Sequence, residues 1–204
     1  MRYDSEHKER TRRAILNEAA IAIRERGPER VGVAEIMGKL GLTHGGFYAH
    51  FDSKEALVAE ALTHMFDHGH ARFLKLTEGR PPAETLANFI DSYLSVAQRD
   101  ERGGGCALAA LCSDLPRMSP QARERFTEGA QRVPAGMARL LSRMGLAGAD
   151  ALALSAVAEM SGALTLARAV SDAQRSEQIL ENSRLQVKAR LGLMPALPQG
   201  ETHV

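Results

Sequence analysis

VGVAEIMGKLGLTHGGFYAHFDSKEAL, residues 31–57, sets the architecture of the whole chain. Ile36, Met37 and Leu40 fall at helical spacing on one face, with Gly32 at the N-cap. Gly41 is the residue best able to take the left-handed conformation that stops a helix. Leu42 packs inward, and Thr43 caps a second helix over His44–His50, its hydroxyl accepting from a first-turn N–H. Asp52 and Glu55, three apart, read as a capping box that opens a third helix. A helix, a glycine turn and a second short helix make the helix-turn-helix unit, whose second helix enters the DNA major groove.

LGLTHGGFYAHFDSKEAL within this stretch resembles the signature of the TetR family of bacterial transcriptional regulators, roughly A-G-V-S-x-G-x-L-Y-x-H-F-x-S-K-E-x-L. Gly41, Gly45, Tyr48, His50, Phe51, Ser53, Lys54, Glu55 and Leu57 stand where the family has them. The detailed resemblance covers residues 10–65; beyond that, helix order and length agree. Two positions depart: Gly32 replaces the usual Thr, and Gly46 the usual Thr, Ser or Ala. The resemblance implies that Tyr48 and Lys54 contact phosphates and that Thr43, His44 and Gly45 lie against the groove. It implies that His50 packs and hydrogen-bonds behind the recognition helix. It further implies a homodimer paired through its last two long helices, a pseudo-palindromic double-stranded operator, and a small-molecule inducer in the second domain.

Composition excludes other classes. The chain has 204 residues, a formal net charge of +1, two cysteines and no Trp. That length supports a sizeable core, and two cysteines fit a reducing cytoplasm better than a disulfide scaffold. No run of 18 or more apolar residues is present, so no membrane span is expected, and MRYDSEHKERTRR lacks the apolar region of a secretory leader. G-x-S-x-G, H-E-x-x-H, P-loop and dinucleotide fingerprints are missing, so neither catalysis nor a cofactor is expected. Arg102–Gly105 lacks the strand and the Lys-Ser/Thr of a phosphate loop. His64 and His68 share a helix face at i,i+4, but without further ligands they make no metal site.

Along the chain, residues 1–10 read as a frayed polar end. Lys8, Arg10, Arg12 and Arg13 then cluster where they reach phosphates. Ile15, Leu16, Ala19, Ala20 and Ile23 form a core stripe ending at Gly27-Pro28. In the recognition helix Thr43, His44 and Tyr48 face DNA while Phe47 and Phe51 face the core. Gly45 and Gly46 offer no side chain to read bases, so direct readout rests on His44, Thr43 and Lys39, with DNA shape supplying the rest. A long helix follows from Ser53 to about Leu76 and ends before Arg80-Pro81-Pro82. Leu86 through Ala97 mark an amphipathic helix, and Gly103–Gly105 a turn. CALAALCSDL reads as a helix with Leu108, Leu111, Cys112 and Leu115 inward. Ser119-Pro120 opens a helix reaching Met144 and kinked at Pro134. An Ala-rich helix spans 149–170, with Ala158, Gly162 and Ala163 small enough for close approach, and a last helix spans 176–191. The expected fold is all-α, about nine helices by periodicity. Residues 1–52 read as a three-helix DNA-binding domain, 53–194 as a helical ligand-binding and dimerisation domain, and 195–204 as a flexible tail.

Met65, Phe66, Phe89, Tyr93, Cys112, Met137 and Met160 are the expected pocket, apolar with sparse polar groups, which suits a small apolar or aromatic inducer. The expected function is a cytoplasmic, ligand-responsive repressor. A second reading makes it a thiol-based electrophile or redox sensor switched at Cys106, which lies off the apolar stripe at the first turn of its helix. Cys112, on the stripe, is expected to be buried and inert.

Overall fold

In a computed structural model, which describes residues 2–194, the chain is helical and carries no strand among those residues. The order is α1 (Arg2–Arg26), α2 (Val33–Lys39), a 3-10 helix (His44–Ala49), α3 (Lys54–Thr77), α4 (Pro82–Tyr93), α5 (Val96–Asp100), α6 (Ala107–Leu111), a 3-10 turn (Leu115–Arg117), α7 (Pro120–Ala130), α8 (Arg132–Arg143), α9 (Ala149–Ala169) and α10 (Ala173–Arg190). The expected tail, 195–204, lies outside the described residues.

Gly41 stops α2 with φ +68, and the Leu42 N–H donates to Met37 O at 2.9 Å, closing the last turn. At α3 the cap is one residue later than expected: the Ser53 hydroxyl, not Asp52, accepts from Ala56 N at 3.1 Å. Ser119 caps α7 through Ala122 N, with Pro120 at the first helical position.

Four expectations need correction. Residues 2–10 are not frayed but belong to α1; this stretch lacks Gly and Pro and is rich in the helix formers Glu, Lys and Arg. The amphipathic helix beginning at Pro82 does not run to Ala97, because the Ser95 hydroxyl accepts from Gln98 N and starts α5 instead. The helix after Ser119 is not kinked at Pro134 but broken at Gln131. A proline at 134 has no N–H to give, and its ring collides with the carbonyl four residues back, so the helix must restart before it. Finally, α6 ends at Leu111 instead of reaching Leu115: the Asp114 N–H donates to Leu111 O at 2.9 Å, tightening the chain into a turn, and Pro116, with no N–H to give, stands in the 3-10 turn that follows. These breaks yield ten α-helices among the described residues, where periodicity gave about nine.

Two apolar clusters form. Ile15, Ile23, Ile36, Phe47, Leu57 and Leu62 join the first three helical elements to the first half of α3, and α6 and α7 close the same cluster through Leu111 and Phe126. Phe73 at the far end of α3 belongs to the second cluster, with Leu86 and Ile90 of α4, Met137 and Leu141 of α8, and the buried sides of α9 and α10. Thus α3 runs from one cluster into the other, about 36 Å for 24 residues. By length and composition α9 resembles a membrane span, but its buried side packs on α8 and α10. Its other side leaves Leu154 63% and Leu166 59% exposed.

Candidate nucleic-acid interface and internal cavity

The surface element after α2 is a six-residue 3-10 helix, shorter than the α-helix expected over His44–His50. Thr43 caps it, accepting from Gly46 N at 3.2 Å. Phe47 and Phe51 stack at 5.6 Å and are buried beneath it. That burial turns Thr43, His44, Gly45 and Tyr48 outward together. Tyr48 is 62% exposed and stands edge-on to Phe47 at 5.2 Å and to His44 at 6.1 Å. A Cβ at Gly46 would lie 3.3 Å from Thr43 Oγ1 and crowd the cap, whereas one at Gly45 would meet nothing within 4 Å. Packing therefore explains Gly46 and leaves Gly45 open for another reason.

The cations around this surface are less free than the sequence suggests. Lys39 donates to Glu18 Oε1 at 2.6 Å, which raises its pKa. Lys54 Nζ donates to the Glu29 carbonyl at 3.1 Å. Arg12 pairs with Glu60 of α3, its guanidinium 4.6 Å above the Phe51 ring. His50 sits half-buried behind the element, but among the described residues its Nδ1 has no hydrogen-bond partner, contrary to expectation. Burial, with Lys8 and Arg12 nearby, lowers its pKa.

The second feature is a cavity of about 100 Å³ between α3, α4, the α7–α8 junction and α9, open to solvent on the side of His68, Gly69 and Arg72. Met65, Phe66, Phe89, Tyr93 and Met160 are on its wall, as are Arg24, His68, His70, Cys106, Arg132 and Val133. Two expected residues are elsewhere. Met137 is fully buried in the second apolar cluster. Cys112 is exposed, because the early end of α6 takes it off the inward stripe. The cysteines have exchanged places: Cys106, half-buried at the N-cap of α6, is on the cavity wall. Although Cys112 is exposed by surface area, neighbouring atoms partly desolvate its Sγ, and this, with the nearby Cys106, raises the thiol pKa. Arg24 and Arg132 had no signal in the sequence, since each is a single basic residue on a helix with other exposed arginines.

The polar end of the cavity lies at the 101–106 loop. Tyr93 Oη is buried with only the weak Cys106 thiol beside it as a partner among the described residues; burial, and then that thiol, raise its pKa well above the ordinary value. Arg24 Nε donates to Gly103 O. Arg168 of α9 donates to the carbonyls of Gln98 and Arg99 at 2.9 and 3.1 Å. A Cβ at Gly105 would lie 2.7 Å from Arg168 Nη2, so only glycine lets that guanidinium reach the loop. His64 Nε2 bonds Asn17 Oδ1 at 2.6 Å and ties α3 to α1, while His68 is at the cavity wall. Among the described residues no group of three or more His, Cys, Asp or Glu could hold a metal ion.

A family model for "Bacterial regulatory proteins, tetR family" matches residues 15–61, and one for "Transcriptional regulator LmrA/YxaF-like, C-terminal domain" matches residues 82–183. The chain is 30% identical over 143 residues to the HTH-type transcriptional repressor Rv3405c of Mycobacterium tuberculosis (strain ATCC 25618 / H37Rv), covering 69% of this chain and 68% of that one. It is 41% identical over 68 residues, 33% of each chain, to the uncharacterized HTH-type transcriptional regulator YdgC of Bacillus subtilis (strain 168). Among solved structures, the reduced form of E.coli NemR superposes with a TM-score of 0.77 at 24% identity, covering 88% of this chain and 95% of that one. A TetR transcriptional regulator from Chloroflexus aurantiacus J-10-FL superposes with a TM-score of 0.77 at 26% identity, covering 94% and 97%.

Proposed function

Because this chain belongs to the TetR family of bacterial regulatory proteins, and is a DNA-binding transcriptional regulator and not an enzyme, we propose that it is a cytoplasmic homodimeric repressor released from a pseudo-palindromic operator by a small apolar or aromatic inducer. One observation carries this reading. The single helix α3 begins at the Ser53 cap, directly behind the outward-facing surface, and supplies Met65 and Phe66 to the cavity wall. A ligand that binds better when α3 is displaced shifts the equilibrium toward a form whose heads no longer match DNA. On this reading residues 1–52 are the DNA-binding domain and 53–194 the effector and dimer domain.

The outer face of α9 supports the dimer. Ala151, Leu154, Ser155, Ala158, Gly162, Thr165, Leu166 and Ala169 are all exposed, and Asp150, one turn before Leu154, is the one exposed charge on α9. Paired with α10 across a two-fold, this face builds a four-helix bundle and sets two recognition elements at about the 34 Å groove repeat. A gel shift with DNA flanking the protein's own gene, with and without trial inducers, tests the proposal; failure to retard that DNA at any protein concentration counts against it.

Tyr48→Phe and Lys54→Ala are expected to weaken binding to all sequences alike, since both side chains reach phosphates. Lys54→Ala should also reduce the salt slope by about one. An unchanged slope would mean that Lys54 stays on the Glu29 carbonyl in the complex. His44→Ala should relax preference at one or two base positions by roughly 1–3 kcal/mol, measured by binding to a panel of operator variants.

The position of Cys106 favours a second reading, in which an electrophile entering the cavity alkylates it. In the iodoacetamide reaction the thiolate displaces iodide and leaves a thioether that fills part of the space beside Tyr93. Release of DNA by iodoacetamide should then survive Cys112→Ser and be lost in Cys106→Ser, as read by gel shift. The reverse pattern would end the idea.

A further inference from the structure

The cavity's polar end carries the Arg24 guanidinium, which Glu101 and Glu25 offset only from a distance. Arg24, on the cavity wall, and Arg168, behind the loop and off that wall, are both partly buried, and burial lowers the pKa of each. Their bonds go to carbonyl oxygens: Arg24 to Gly103, and Arg168 to Gln98, Arg99 and Glu101. Neither forms an ion pair among the described residues. Carbonyl dipoles solvate a guanidinium but do not cancel its charge, and an unpaired buried charge is costly. The nearest acids stay off the cavity wall: Glu101 Oε1 accepts from Gly104 N at 2.8 Å, and Glu25 lies against Gly103. The wall as a whole carries arginines and histidines and no Asp or Glu. Its one arginine in an ion pair, Arg132, is paired with Asp67 outside the wall. On the same wall the Tyr93 hydroxyl is buried beside Cys106 and near Arg168, with no partner stronger than the weak Cys106 thiol among the described residues.

These features select among ligands. A cation would add like charge to a positive site. A neutral hydrocarbon would leave the Tyr93 hydroxyl and the Arg24 guanidinium as they are. We propose that the cavity takes an organic acid, its anionic group held at the loop end by Arg24 and the Tyr93 hydroxyl, and its apolar body lying among Phe66, Phe89 and Met160. The inference rests on the reading of this cavity as the effector site, and narrows the inducer from an apolar molecule to an anionic amphipath. The cavity volume of about 100 Å³ suits a single ring or a short chain. Hydrogen bonds from a guanidinium and a phenol to a carboxylate are charge-assisted, which makes them the strong kind.

Isothermal titration of the full chain without DNA, with 3-phenylpropionate, 3-phenylpropanamide and 3-phenylpropylamine, compares one apolar body under three headgroups. The acid should bind at least about tenfold more tightly than the amide, and the amine most weakly. Arg24→Gln should bring the acid to within about threefold of the amide while the amide is unaffected, and Tyr93→Phe should weaken the acid about fivefold. Tyr93→Phe removes only a hydroxyl whose neighbour is the weak Cys106 thiol, so it keeps the test open should Arg24→Gln fail to fold. Equal binding of acid and amide, tighter binding of the amine, a preference that survives both substitutions, or no binding by any of the three overturns the proposal. A gel shift with the same acid is scored separately: binding without DNA release leaves the cavity assignment standing and counts against the inducer reading.

Discussion

Gly162→Leu is expected to leave each protomer folded and to take the dimer apart. Gly162 lies mid-way along α9 on its exposed side, and a Cβ there would meet nothing within 4 Å in the protomer. Leucine in a helix interior is also favoured over glycine by about 0.8 kcal/mol. The protomer therefore has reason to gain stability. The surrounding face is uncharged and small-residued, which suits a close helix crossing. An isobutyl group placed in such a crossing forces backbones apart at a cost of about 1–3 kcal/mol for each copy, and the two-fold doubles it. Loss of the paired heads removes the gain from joining two half-site contacts, about 10²–10⁴ in apparent affinity. Light scattering after size exclusion should show monomer, thermal melting should show an intact protomer, and the gel shift should be lost. A stable dimer that still binds DNA would move the interface away from α9.

Gly129→Ala should be strongly destabilising, although alanine normally favours a helix by about 1 kcal/mol over glycine. The added Cβ would lie 2.7 Å from the Cβ of Phe66 and closer still to its ring. Those atoms are near the α3 backbone, so they have little freedom to swing aside. Phe66 is also held edge-on against Phe126 at 5.2 Å. Relief requires either a new rotamer for Phe66, which intrudes on the cavity, or separation of α7 from α3. Either costs about 1–3 kcal/mol beyond the propensity gain, and for a chain of this size each kcal/mol lowers Tm by about 2–4 °C. Adding Phe66→Leu should recover part of the loss, because the smaller side chain leaves room for the methyl. An unchanged melting temperature for Gly129→Ala would contradict the α3–α7 packing described.

The same close contact illustrates why the second half of the molecule was harder to read than the first. Gly41, Thr43, Ser119 and Pro120 act through backbone conformation and hydrogen bonds within a few residues of themselves, so their consequences are written locally. The inward turn of Phe47 and Phe51 likewise follows from spacing within one short segment. Gly129, by contrast, is glycine because of Phe66, more than sixty positions earlier.

By itself, the sequence determined the all-helical class, the helix-turn-helix, the outward placement of Thr43, His44 and Tyr48, and the bounds of α9 to within a residue at its C-terminal end. Only the tertiary structure decided which cysteine faces the cavity, that Met137 is core, and that Arg24 and Arg168 meet at one loop. It also decided that Lys39 answers Glu18 across 21 positions of sequence. The physical reason is range. Helix caps, turns and amphipathic periodicity are set by neighbours along the chain, whereas the inward side of a five-residue helix such as α6, and the charge balance of a cavity, are set by whichever distant elements pack there.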